Sequence, residues 1–308
     1  MWKGIFKKKR KIALVLGGGG ARGIAHLGIL KFLEENGYRF DFIVGTSAGG
    51  VFGAFYLKYR NVRNAWDELK SEIKKHKDKS GVFFKLDSDE EKRTLLTEFR
   101  EKLYMAKTLF KEGIFEEKIM REPYEIMFNG SNNIEELRGR IYIVAIDLLS
   151  GKDIVFSKGA LLPALLATSA LPGIFPPVKY KNFYLIDGGS TQKLPTTIAR
   201  KLGAEKILAV DVGSNLKEIK EHPNGIKIML RNEEIVSQRL HSINIKYADL
   251  LIRPQIEKYK WFEFNKYEEI FEAGYRAAQR KAEEIKEFYN SSEYKKVDLY
   301  YTEDFILF

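Results

Sequence analysis

No cysteine occurs in the 308 residues. Disulfides, thiolate metal sites and cysteine nucleophiles are therefore excluded. Histidine is scarce: His26, His76, His222 and His241 are scattered and form no HxxxH-type pair, so no zinc site is expected. No acidic loop of EF-hand type is present, so calcium dependence is not implied, and neither a metal nor an organic cofactor is expected. A secretory signal fails on length, because the apolar core Ile12–Leu16 is far shorter than about 7–15 residues. One uncharged stretch does reach membrane length, GALLPALLATSALPGIFPPV from Gly159 to Val178. Its prolines at 163, 172, 176 and 177 would repeatedly break a spanning helix, so it is expected to be buried, irregular backbone.

What is present is positive charge and enough apolar residues for a core. Formal net charge is +10 and hydrophobic content 44%. Much of the charge lies in the N-terminus, MWKGIFKKKRK, which contains no acid. One reading of residues 1–10 is a basic arm near an anionic membrane, with Trp2, Ile5 and Phe6 inserting beside the charges. The other is a frayed, solvated terminus. No RNA-binding motif supports nucleic acid as the partner. The chain is expected to be cytoplasmic, with the arm as the route to the inner face of the membrane.

The apolar periodicity is that of an α/β protein. Lys11 to Leu16 (KIALVL) suits a buried strand, and Ala21 to Glu35 has helical spacing at 24, 27, 30 and 33. Phe40 to Val44 is a second strand and Ala48 to Tyr59 a second helix. Residues from about 60 to 135 are charged and helical, an insertion packed over the sheet either as a lid or as plain cover. Strands return at Ile141 to Ile146, Phe183 to Ile186, Lys206 to Val210 and Leu250 to Ile252. A helix over Leu194 to Leu202 and a long charged one over Tyr267 to Phe288 complete the pattern. This alternation predicts a central, mostly parallel sheet flanked by helices, in one domain over 11–308.

Gly17 to Gly23 (GGGGARG) lies between a strand and a helix. Gly18-x-Gly20-x-x-Gly23 fits a dinucleotide fingerprint, with Asp41 near where a ribose-binding acid would fall. The same exposed N–H groups could instead hold an oxyanion formed during a reaction. A plain tight turn is the third reading, made costly by four successive glycines.

Gly45-Thr46-Ser47-Ala48-Gly49 also ends a strand and opens a helix, the setting of a nucleophile elbow. The turn is so sharp that side chains two residues either side of the serine would collide. An ordinary helix-capping serine is the rival. A nucleophilic serine needs a base, and no histidine is convincing: His26 sits inside a helix, His76 in a lysine-rich helix, and His222 and His241 in a late polar section. Asp187 follows a strand and precedes Gly188-Gly189. In a parallel sheet the carboxyl ends of strands converge, so Asp187, Ser47 and the glycine loop can meet there. An Asp-Gly turn without chemistry is the bland alternative.

In order, GGGGARG, GTSAGG and DGG resemble the three blocks of the patatin-like phospholipase family, as do VAIDLLSGKDIVF and ATSALPGIFPPV. The likeness runs from about residue 11 to 213. Many bacterial members carry an asparagine shortly before the Leu-Pro pair, where this chain has Gln192-Lys193. The resemblance implies a three-layer α/β/α fold and a serine acyl hydrolase of lipid esters, phospholipase A or lysophospholipase in kind. It implies a Ser47–Asp187 dyad without histidine. Gly18, Gly19 and Gly20 amides would form the oxyanion hole, and Arg22 would help fix the loop. Gly23, Gly45, Gly49, Gly188 and Gly189 would support these motifs. The partner is then a lipid or fatty-acyl ester substrate. Two alternatives stand beside it: a dinucleotide-binding oxidoreductase using the glycine loop, and a non-catalytic lipid-binding protein of the same fold.

Overall fold

A computed structural model describes residues 10–77, 112–113, 115–216, 218–219, 225–291, 293 and 305–308. The basic arm over 1–9 and the middle of the insertion, 78–111, lie outside them.

Nine strands of the described residues form one mixed sheet. They are β1 (Ile12–Leu16), β2 (Phe42–Thr46), β3 (Ile141–Asp147), β4 (Asp153–Phe156), β5 (Val178–Tyr180), β6 (Phe183–Asp187), β7 (Lys206–Val210), β8 (Leu250–Ile252) and β9 (Ile306–Leu307). The order is β5-β6-β3-β2-β1-β7-β8, with β4 paired to β3 and β9 to β4. The centre, β3-β2-β1-β7-β8, is parallel, while β4, β5 and β6 join antiparallel. The mostly parallel sheet expected from the alternation is therefore present.

Side chains of successive strand residues point to opposite faces, and both faces here are apolar. Leu14, Leu16, Ile43, Ile141 and Ile143 belong to one buried cluster; Ala13, Val15, Phe42, Val44 and Val144 belong to the other. Helices cover each. On the first face lie α1 (Ala25–Glu35), α2 (Ala48–Tyr59), α3 (Val62–Lys77), α4 (Lys118–Met127), α5 (Leu161–Ser169), α9 (Tyr267–Arg280) and α10 (Ala282–Asn290). On the second lies α7 (Thr196–Lys201), with the end of α8 (Gly225–Ile245). A four-residue helix, α6 (Gly189–Gln192), follows β6. The insertion contributes α3 and α4 to one wall: Trp66 stacks on Phe271 at 3.9 Å, and the Tyr124 hydroxyl donates to Ser169 Oγ at 2.7 Å.

Two expectations fail for identifiable reasons. The stretch after Gly159 is not irregular throughout, because Leu161–Ser169 is a buried helix. Pro163 is its third residue, in the first turn, where a missing N–H breaks no intrahelical bond. The helix expected over Tyr267 to Phe288 breaks at Lys281 into α9 and α10.

Candidate active site

The carboxyl edge of the parallel strands gathers three loops. Leu16 pairs with Gly45 of β2 and Val210 of β7, so the glycine loop, Ser47 and Asp211 all emerge at one level. Asp187 reaches this level by a different route from the one expected. Strand β6 runs antiparallel to β3, and Asp187 pairs with Ala145, one residue beyond Val144, the partner of Thr46. Strand β3 overshoots the edge, and β6 returns along it to stop beside Ser47.

Ser47 occupies the elbow in a conformation that non-glycine residues seldom take, φ 53 and ψ −127. Such backbone costs about 1–3 kcal/mol and persists only where its surroundings enforce it. Here the surroundings are a hydroxyl and two bare backbones. The Ser47 amide donates to Thr168 Oγ1 at 2.7 Å, and that hydroxyl donates to the Val144 carbonyl at 2.6 Å. A Cβ on Gly45 would meet the Gly49 carbonyl carbon at 2.5 Å, and one on Gly49 would meet the Leu16 oxygen at 2.0 Å. The collision expected two residues either side of the serine is thus present. Gly23 permits the same closeness one layer out, since its Cβ would lie 2.5 Å from Ala48 Cβ.

The Asp187 carboxylate lies beside the Ser47 hydroxyl, which favours its ionised form, and accepts the Gly189 amide at 2.7 Å. Asp187 is buried, and burial pushes its carboxyl from 3.8 up to about 6; the neighbouring Ser47 hydroxyl and the Gly189 amide oppose that rise without cancelling it. Gly188, whose Cβ would stand 2.8 Å from the Val144 oxygen, lets β6 turn away against β3.

The glycine loop lies against the serine: a Cβ on Gly18 would be 3.2 Å from Ser47 Cβ. Its amides are not equivalent. Gly17 donates to Val210 O and Gly18 to Lys193 O, each at 3.0 Å. The Gly18 amide is therefore already used by the backbone, against its expected place in the oxyanion hole. The Gly19 and Gly20 amides precede the 3-10 turn Gly20–Ile24 and have no backbone acceptor among the described residues. Gly20 has φ +59, and a Cβ there would lie 2.2 Å from the Trp261 carbonyl, which accepts the Ala21 amide at 2.6 Å. Arg22, buried, directs Nε to the Gly19 carbonyl at 3.4 Å. Lys193 holds the loop through its backbone, while the Gln192 amide donates to Asp153 Oδ2 at 2.9 Å.

A second carboxylate at this edge has a different character. Asp211 accepts His241 Nε2 at 3.0 Å, Arg253 Nη2 at 2.6 Å and the Gly213 amide at 3.0 Å. Burial alone would raise its pKa, but His241 and Arg253 hold it well below the usual carboxylate range. A carboxylate so bound is a poor proton acceptor, so the two acids are chemically distinct. His241, expected to have no strand-end setting, is in fact buried at the end of β7 against Asp211. His26 is fully buried, its ring pushed down to about 4 by burial, with Nε2 at 2.9 Å from the Gly17 carbonyl. Neither serves Ser47. The side chains of His76 and His222 lie outside the described residues.

Asp41 is far from this edge. Its carboxylate accepts the amide of Ile12, the first residue of β1, at 2.7 Å. The acid of the dinucleotide fingerprint thus sits at the amino-terminal edge of the sheet, away from the glycine loop, and the oxidoreductase reading falls with it.

Sequence reasoning missed Thr168, Asp211, His241, Arg253 and Trp261. For Asp211 a signal existed, since an apolar strand followed by Asp-x-Gly repeats the pattern around Asp187. The rest contribute through folding alone.

Above these groups opens a cleft of about 1220 Å³. Gly19, Ser47 and Asp187 lie at its floor, and Val51, Phe52, Met120, Tyr124, Met127 and Phe175 form an apolar wall. A hydroxyl at an enforced elbow, a carboxylate of raised pKa and two unpaired amides can together support nucleophilic acyl transfer.

A family model for patatin-like phospholipase matches residues 14–200. The chain belongs to the patatin-like phospholipase family. It is 29% identical over 289 residues to lysophospholipase NTE1 of Meyerozyma guilliermondii, covering 86% of this chain and 19% of that protein. It is 28% identical over 292 residues to patatin-like phospholipase domain-containing protein 6 of Homo sapiens, covering 86% of this chain and 20% of that one. The chain spans about a fifth of these relatives. The crystal structure of VipD from Legionella pneumophila overlays with a TM-score of 0.46 at 13% identity, covering 89% of this chain and 67% of that one, too distant to inform the site.

Proposed function

We propose that this chain hydrolyses acyl esters of lipids, with Ser47 as nucleophile and Asp187 as its base. The observation that carries the proposal is the convergence, in one cleft, of the Ser47 hydroxyl on its strained elbow and a buried carboxylate whose pKa is pushed up to about 6. An aspartate at its ordinary value is a weak base for a hydroxyl; raising that value improves proton transfer.

In the first step Ser47 Oγ attacks the ester carbonyl carbon while its proton passes to Asp187. The carbonyl π bond becomes an oxyanion, held by the Gly19 and Gly20 amides. Collapse expels the alcohol, which takes the proton from Asp187, and leaves an acyl-Ser47. Water then attacks that ester, giving its proton to Asp187; collapse breaks the acyl–Oγ bond, Asp187 returns the proton to Ser47 Oγ, and the fatty acid is released. The oxyanion donors carry much of the rate enhancement, since one such donor is worth about 10²–10³ in kcat. The apolar wall supplies a path for an acyl chain. The name lysophospholipase borne by the fungal relative supports a single-chain phospholipid as substrate class. We also assign α3 and α4, the described helices of the insertion, to the single hydrolase domain as a wall of this cleft.

The test is a fluorophosphonate probe with mapping of the modified residue. Labelling of Ser47, lost in Ser47→Ala, is expected. A label on another residue, or none, overturns the assignment. Labelling without turnover of any acyl ester would favour the non-catalytic lipid-binding alternative.

A further inference from the structure

Large exposed apolar side chains are not scattered evenly over this molecule. Leu216, Ile219, Ile228, Met229 and Leu230 stand within 15 residues of one another and are 38–73% exposed. The last three are consecutive in α8. At about 100° per residue they wrap roughly 200° of the helix, so no single packed face could bury them. They sit where α8 runs past the cleft. Leu216 and Ile219 line the cleft, and so do Arg231, Glu233 and Glu234, which follow Leu230 within about one turn. Ile126 and Leu171 also line the cleft while 39% and 38% exposed. The cleft above Ser47 is thus bordered in part by apolar side chains that water touches.

Such a patch marks a contact surface. Resting on the hydrolase reading above, we infer that this rim, with Ile228, Met229 and Leu230 at its leading edge, is the face that enters a phospholipid surface. A second copy of the chain on the same face would stopper the cleft, whereas a lipid surface fills it with substrate. An acyl chain leaving a bilayer loses its apolar contacts if it crosses water. A rim seated at the acyl boundary gives it a continuous apolar path to the wall of Val51, Phe52 and Met120. The charges around the mouth are mixed: Lys118, Lys258 and Arg231 accompany Glu233, Glu234 and Glu257. Attachment through this face therefore draws on apolar burial and not on net charge. It takes zwitterionic phosphatidylcholine and withstands salt.

The experiment compares wild type with an Ile228→Gln, Met229→Gln, Leu230→Gln triple variant, which keeps helix-forming, uncharged residues at exposed positions. Co-sedimentation with phosphatidylcholine vesicles in about 0.5 M salt, where exposed charges are strongly screened, is expected to weaken on the order of a hundredfold. Release of fatty acid from the vesicles should fall with it. Turnover of soluble p-nitrophenyl butyrate and the melting temperature should not move, because none of the three residues lines the cleft. A Met229→Trp variant should add blue-shifted emission when vesicles are present.

Equal vesicle binding by wild type and triple variant overturns the inference. So does absence of wild-type binding to neutral vesicles, an unshifted indole emission from sedimented Met229→Trp protein, or a wild-type dimer that the triple variant dissolves. Failure of the hydrolase reading shows separately, as absent p-nitrophenyl butyrate turnover and no probe on Ser47, while vesicle binding is still measured.

Discussion

Ser47 and Asp187, distant in the chain, stand side by side in one cleft, and the serine hydroxyl only partly offsets the cost of burying the carboxylate. A pH dependence follows. As the proposed base, Asp187 accepts the serine proton only when ionised. With its pKa pushed up to about 6, kcat/KM for p-nitrophenyl butyrate should rise through a limb centred near pH 6 and level off above it. A profile already flat at pH 4.5 would mean that Asp187 is not the base.

The same shift has a sign for stability. The folded-state pKa lies above the unfolded one, so the protonated form is favoured by folding. Stability from this group is fully present below about 3.8 and is lost as pH rises through about 6. An Asp187→Asn variant escapes that loss. At pH 8 it should be inactive yet more stable than wild type, by about 2–3 kcal/mol, and the gain should vanish below pH 4. Urea titrations at both pH values read it directly. Retained turnover would point to a histidine base instead.

Thr168 acts on the nucleophile from behind. Its hydroxyl accepts the Ser47 amide and donates to Val144, so the strained turn is fixed by two bonds through one oxygen. Thr168→Val keeps the volume but leaves a buried amide and carbonyl unpaired. We expect a loss of about 1–3 kcal/mol in stability. We also expect a fall in kcat larger than any rise in KM, since the elbow and not the acyl wall is disturbed. Thr168→Ser should restore both. An equal loss in kcat for the serine variant would show that the methyl group, not the hydroxyl, matters.

Asp211 offers the converse case. Its folded-state pKa is depressed, so its contribution is present above the ordinary carboxylate value and fades only in strong acid. Asp211→Asn should cost about 3 kcal/mol at pH 7 by leaving the buried His241 and the half-buried Arg253 without their anion. The pH 6 limb of kcat/KM should remain in whatever activity survives. Loss of that limb in Asp211→Asn, with its persistence in Asp187→Asn, would reverse the roles assigned to the two acids.

The contrast between these acids shows how far the sequence could be read. Both end or follow an apolar strand and stand two residues before a glycine, and locally only Gly188 in place of Val212 separates Asp187 from Asp211. Their difference lies in partners from remote segments, Ser47 for one and His241 and Arg253 for the other. Local patterns sufficed for the elbow, because the crowding at Gly45 and Gly49 is set by the turn itself. They also sufficed for the parallel core, whose strands are apolar on both faces. They misassigned the Gly18 amide, because its acceptor is the carbonyl of Lys193, which only folding brings near. They missed α5, because a proline in a first turn looks the same in a sequence as one in a helix interior. The antiparallel return of β6 was equally hidden: strand direction depends on the connection, and the residues of β6 would suit either.

The basic N-terminus gives a final prediction, in which salt separates two modes of attachment. Residues 1–9 carry Lys3, Lys7, Lys8 and Lys9 with no acid, and each basic residue near an anionic leaflet is worth about 1 kcal/mol. That attraction decays over a Debye length of about 10 Å at 0.1 M salt. Deleting residues 1–9 should therefore weaken binding to vesicles containing phosphatidylserine at about 20 mM salt, where screening is weak. The deletion should have little effect on binding to phosphatidylcholine vesicles at any salt. The rim around α8 should behave in the opposite way, being lost in the triple glutamine variant on neutral vesicles and indifferent to ionic strength. Unchanged binding of the deleted protein to anionic vesicles at low salt would remove the membrane role of the arm and leave the apolar rim to hold the protein alone.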